Sequence, residues 1–182
     1  MICANFTFRL HIFLFSALLL IGSSLQAQNK LISFELKDQF DTTYTHQDFD
    51  DQVLIAVLSD KKGSDYNERW SLAILDSLGE DSDEVRFLPV ADMRKVPFFV
   101  RGLVKKFFPK DPEVWILLDW KGQFAKTYEQ VEKSCNIILF DRNSEVVYQT
   151  AVTEIDETEL STIVDHLRLL TKSPERLGSA TD

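Results

Sequence analysis

The chain has 182 residues, enough for one domain of ordinary size around a single core. A formal charge of −9 argues against a general nucleic-acid binder, and 45% hydrophobic residues, with fourteen Phe, exclude a disordered chain. Residues 1–27 read as a signal peptide, because Arg9 precedes an apolar run over residues 10–21 and Ala27 offers a small residue at the cleavage position. The run is short for a spanning helix, so export is preferred over anchoring by residues 10–21. Cleavage near Ala27 removes one cation, Arg9, and no acid, so −9 becomes −10; it also removes Cys3 and leaves Cys135 as the only cysteine. No intramolecular disulfide can then form in the periplasmic or extracellular space where the protein is expected. The folded domain is assigned to residues 28–172 and a mobile C-terminal tail to residues 173–182.

Within the mature chain, Ile32, Phe34 and Leu36 fall on one side of a loose alternation. Val53-Leu54-Ile55-Ala56-Val57-Leu58 is a continuous run too short for a helix, the pattern of a parallel strand covered on both faces. After a polar turn, Tyr66, Trp70, Ala73, Ile74 and Leu78 recur at helical spacing. Asp65 and Glu68 have the spacing of a capping box, and Gly79 can stop the helix. The acids at 80–84 form a solvated turn. Residues 85–90 form a second strand, parallel to the first after a right-handed crossover, with Pro89 expected near its end.

Residues 93–110 carry six basic side chains and no acid. Pro97 suits the first turn of a helix, with Val100, Leu103, Val104 and Phe107 as its apolar stripe and Phe98, Phe99 and Phe108 beside it. A core-packed helix with a solvated basic face is the plain reading. The alternative is a docking surface, formed by Arg94, Lys95, Arg101, Lys105 and Lys106, for an anionic lipid head group or an acidic partner. Pro109 and Pro112 close this segment before a third buried strand at 114–118. Residues 135–141 and 145–152 are two further strands joined by the turn Asp141-Arg142-Asn143-Ser144. A last helix starts at Asp156, with Glu159 as capping partner, buries Leu160, Ile163, Val164, Leu167 and Leu170, and ends at Pro174.

Several of these segments together resemble the thioredoxin-like redoxins, the family of peroxiredoxins (AhpC-TSA type) and thiol reductases. The resemblance lies in Phe34-x-Leu36-x-Asp38 followed by Tyr44 and Asp48-Phe49, in the strand, loop and helix from Val53 to Trp70, and in Leu117-x-Asp119 followed by Gly122, Ala125 and Tyr128. It covers roughly residues 31–171. It implies an α/β, thioredoxin-like fold: a central mixed sheet of about five strands flanked by helices, with an N-terminal hairpin. The strand at Val53 would be central, with those at Val85 and Ile137 beside it and those at 114–118 and 145–152 at the edges.

Redox chemistry in this fold needs a thiolate at the end of the central strand, where a helix N-terminus lowers the thiol pKa. Under the resemblance, Lys62, Gly63, Ser64 and Asp65 occupy the place of Cys-x-x-Cys, and Cys135 stands where thiol reductases carry a cis-proline and peroxiredoxins an arginine. Cys135 is then a catalytic candidate, close to the 62–65 loop, with Lys62 favouring its thiolate and glutathione or a partner cysteine as co-reactant. The plain reading is a small, half-buried residue at a strand start. His46 and His166 lack ligand-spaced neighbours, so no metal is expected, and no cofactor motif appears. Three functions remain: an exported, non-catalytic protein of redoxin ancestry that binds a protein or small ligand, which is preferred; a one-cysteine thiol oxidoreductase or weak peroxidase using Cys135; and a membrane-surface adaptor acting through residues 94–110.

Overall fold

In the computed structural model, which describes residues 29–172, the chain opens with an antiparallel hairpin, β1 (Glu35–Lys37) and β2 (Thr43–Thr45), ahead of the buried strand β3 (Val53–Ser59). Helix α1 (Ser64–Leu78) leads to β4 (Val85–Asp92). A run of short helical turns containing α2 (Arg101–Val104) precedes β5 (Leu117–Asp119) and α3 (Gln123–Thr127). Strands β6 (Cys135–Phe140) and β7 (Val146–Val152) and helix α4 (Glu157–Thr171) complete the domain. The signal peptide, the tail and Pro174 lie outside the described residues. Among the described residues no helix is long and apolar enough to cross a membrane.

The sheet order is β5-β4-β3-β6-β7, with β3, β4 and β5 parallel and β6 antiparallel to both β3 and β7. This is the five-strand mixed sheet with an N-terminal hairpin that the sequence implies. Strand β3 reads as uniformly apolar because each of its faces meets a different layer. Val53, Ile55 and Val57 pack with Trp70, Ile74 and Leu78 of α1 and Ile163, Val164 and Leu167 of α4. Leu54, Ala56 and Leu58 pack with Phe34, Leu36, Phe49, Phe124 and Tyr128 from the hairpin side and α3. Trp70 is fully buried, and its indole N–H donates to Thr153 O at 2.7 Å, so α1 is bonded to the end of β7 as well as packed on the sheet. At the other end, the Asp156 carboxylate accepts from the Glu159 N–H at 2.8 Å and starts α4 as expected.

Three local expectations are corrected. Helix α1 starts at Ser64 with Gly63 as N-cap, so Asp65 and Glu68 do not form a capping box there; Asp60 has already gathered the preceding amide groups. Pro89 sits inside β4 rather than at its end. Strand β5 joins β4 only from Val90, so one side of β4 is free of ladder up to the proline. Residues 97–108 do not form a core-packed helix, and Phe98, Phe99, Leu103 and Phe107 are exposed. The hairpin and its aromatic residues fill the sheet face available to them: Tyr44 stacks on Trp115 at 4.7 Å and Phe34 packs edge-on to Phe124 at 5.2 Å.

Candidate functional site at the end of the central strand

Ser59 ends β3, and the next residue organises the loop. The Asp60 carboxylate accepts from Lys62 N at 3.0 Å and Gly63 N at 2.8 Å, an Asx turn that aims the chain into α1. It also faces Lys133 N, at 3.3 Å to each oxygen, which links this loop to the one before β6. The two loops touch through backbone. A Cβ on Gly63 would lie 2.2 Å from Ser134 O, so only glycine fits this contact.

The facing loop is held by Asn136. Its carboxamide accepts from Val131 N at 2.8 Å and donates to Val131 O, Ser134 O and Leu58 O at 3.0–3.3 Å. Ser134 Oγ adds a bond to Val131 O at 2.8 Å. On α1, Asn67 donates to Ser59 Oγ at 2.8 Å, while its own Oδ1 is buried without a protein partner among the described residues. Asp60, Asn67 and Asn136 were absent from the candidates named from sequence. Asp60-Lys-Lys-Gly carries an Asx-turn signal that could have revealed the first; Asn67 bonds to Ser59 eight residues back, and Asn136 joins its own preceding loop to Leu58 of the central strand, so neither leaves a familiar local pattern.

Of the expected site residues, Lys62, Ser64 and Asp65 are exposed around the buried Gly63. Cys135 follows Ser134, so the loop and the cysteine are neighbours along the backbone contact. Its side chain, however, is 0% exposed rather than half-buried, and lies in the cluster of Val57, Trp70, Ile74 and Ile137. Burial pushes its thiol up to about 12, and no cation offsets that effect. Lys62 therefore does not favour a thiolate at Cys135.

The basic residues of the expected docking surface are mostly engaged. Arg94 pairs with Asp92 at 2.9 Å, with its methylenes against Gly122; Lys95 pairs with Glu132, and Lys105 with Asp41. Arg101 lies over the Trp120 ring at 4.7 Å. Lys106 stays exposed without an ion pair among the described residues. His46 contacts Ser33 and Phe34, and His166 stacks on Tyr148, so neither converges with the other.

No protein-family model matches the chain, and no curated protein matches it in sequence. Solved structures do. An exposed lipoprotein thioredoxin from Streptococcus pneumoniae strain TIGR4 superposes with a TM-score of 0.58 at 16% identity, covering 76% of this chain and 100% of that one. The thioredoxin domain of a thiol-disulfide oxidoreductase from Bacteroides vulgatus gives 0.52 at 15% identity, covering 81% and 99%. A SCO1/SenC family lipoprotein from Bacillus anthracis strain Ames gives 0.52 at 14% identity, covering 82% and 100%. With the strand order and the loop geometry above, these similarities establish that the chain has a thioredoxin-like fold.

Proposed function

We propose that this chain is an exported thioredoxin-fold protein of redoxin ancestry that works by binding a partner protein or small ligand, without thiol chemistry of its own. The observation that carries this reading is the state of Cys135. It is sealed in the core with its thiol pushed up to about 12 by burial, so at neutral pH the thiolate that exchange or peroxide reduction requires is strongly disfavoured. The loop at the end of the central strand carries Lys62, Gly63, Ser64 and Asp65, none of which exchanges thiols. That loop is nonetheless rigidly built and presents Lys62, Ser64 and Asp65 to solvent, as a recognition loop would. Export rests on the 1–27 leader, and the lipoprotein descriptions of two structural neighbours accord with it.

The test is peroxide consumption and mixed-disulfide reduction by residues 28–182 beside the Cys135→Ser variant, with thiol titration of the native and denatured protein. No turnover in either protein, and labelling of Cys135 only after denaturation, is expected. Turnover that the serine variant loses would make the protein an oxidoreductase and overturn this reading. Export is checked separately by N-terminal sequencing of the secreted form, expected to begin at Gln28.

A further inference from the structure

Three phenylalanines in one ten-residue stretch stand almost wholly in water. Phe98 is 80% exposed, Phe99 82% and Phe107 79%, with Leu103 at 56%. Single exposed apolar residues are ordinary, whereas a set on one face marks an interaction surface. Residues 98–107 are an unbroken run of 3-10 and α-helical turns, and Phe98, Phe99, Leu103 and Phe107 are all exposed along it.

The stretch is fixed rather than frayed. Met93 at its root is buried and donates to Asp119 O at 3.1 Å. Arg101 is stacked on Trp120, and Lys105 is paired with Asp41. Gln39 Nε2 donates to Pro109 O at 3.3 Å and Val114 O at 2.7 Å, tying the far end to the hairpin. The tethers hold the inner side and leave the phenylalanines outward.

The local charge is opposite to that of the chain. Residues 93–110 hold no acid, in a protein of formal charge −9. The acids that reach the segment, Asp92, Glu132 and Asp41, are engaged by Arg94, Lys95 and Lys105. Lys106 and Lys110 are exposed and make no ion pair among the described residues, and Asp111 and Glu113 follow beyond them.

We propose that this segment seats the protein on an anionic bilayer, Phe98, Phe99 and Phe107 entering the boundary between headgroups and acyl chains while Lys106 and Lys110 meet lipid phosphates. Exposed aromatic residues along a short helical run, flanked by lysines, suit that boundary. A second copy docked through the same patch would bring together two basic segments, neither of which holds an acid.

The test is co-sedimentation of the protein, as an expression host exports it, with vesicles of equal parts phosphatidylglycerol and phosphatidylcholine and with pure phosphatidylcholine vesicles. The variants are Phe98→Ser/Phe99→Ser/Phe107→Ser and Lys106→Glu/Lys110→Glu, each checked for native circular dichroism; all five positions are exposed, so folding is not at stake. The expected result is binding to the anionic vesicles that falls at least tenfold in the phenylalanine variant. It should fall several-fold in the lysine variant and when salt rises from about 50 mM to about 500 mM. Absence of binding by the wild type, or equal binding by the phenylalanine variant, overturns the proposal. So does a concentration-dependent dimer, seen without lipid, that the phenylalanine variant abolishes.

Discussion

Replacing Gly63 with alanine is expected to cost about 2–4 kcal/mol of stability through a contact and not through the backbone. Gly63 has φ −80° and ψ −18°, which any residue adopts without strain. An added Cβ would instead lie 2.2 Å from Ser134 O, 2.7 Å from Ser134 C and 2.9 Å from Ser134 N, so the two loops must part by about 1 Å. The obstacle is backbone, which cannot swing aside, and overpacking of that kind costs about 1–3 kcal/mol. Parting also lengthens the Lys133 N to Asp60 contacts, already 3.3 Å, and weakens one or two bonds worth about 1 kcal/mol each. Urea unfolding is the assay: with a slope of about 2 kcal/mol per molar, the midpoint should fall by roughly 1–2 M at unchanged slope. Two other glycines serve as controls. Gly102→Ala, whose Cβ meets nothing within 4 Å, should be neutral or stabilising by up to about 1 kcal/mol. Gly79→Ala also enters open space, but at φ +58° and ψ −124°, outside the left-handed helical region, so it should cost more than about 1 kcal/mol by conformation alone. A Gly63→Ala midpoint equal to that of Gly102→Ala would refute the contact argument.

Asn136→Ala removes the carboxamide that serves four backbone groups and should lower stability by about 2–4 kcal/mol, with faster hydrogen exchange at the Val131 amide as the local readout. Asp60→Ala should cost about 1–2 kcal/mol and free the Lys62 and Gly63 amides, visible by the same exchange measurement; exchange unchanged at both would show that Asp60 does not organise the loop. Alkaline titration should expose two buried groups. Burial raises the Tyr128 phenol from 10.0 and the Cys135 thiol from 9.0, each to about 12, so the fold favours their neutral forms. Their stabilising contribution is full below about pH 9 and lost as pH rises toward 12; urea midpoints measured across that window should decline, and tyrosinate absorbance should still be rising toward pH 12 as Tyr128 ionises, with Tyr44 and Tyr148 also raised by burial. Tyr128→Phe should cost about 1–2 kcal/mol, because the hydroxyl accepts from Ile32 N and donates to Lys30 O, both at 2.9 Å.

The sheet was legible because its cause is local. The apolar run 53–58 has one explanation, two covered faces, and the stripe of α4 from Leu160 to Leu167 needs only helical spacing to declare itself. Residues 97–108 misled for the opposite reason. An apolar stripe shows that a helix has a face and leaves open whether anything remains for that face to meet, and here the hairpin aromatics had already taken the sheet. The site was legible in part. The loop was found from its place after the central strand, while the residues that shape it act across the chain: Asp60 reaches Lys133, and Asn136 reaches Leu58. Cys135 was read by its position in the chain, but the direction of its side chain, into the core under Trp70, depends on the strand pleat and decides its chemistry.

The first described residues cover the start of the sheet's β7 border, and a single bridge from the hairpin reaches its β5 border. Residues 29–31 run beside the start of β7, with Val146 N donating to Asn29 O at 2.7 Å and Leu31 N to Ser144 O at 2.8 Å, while Asp38 bridges to Leu117 of β5. Unpaired borders are where sheets recruit strands from other chains. Synthesis runs from the N-terminus, so residues 29–31 wait for their partners until residue 146 has been made. Until then β6 is the last strand the nascent sheet can hold, and the cover at the start of β7 arrives late, delivered by the part of the domain that was made first.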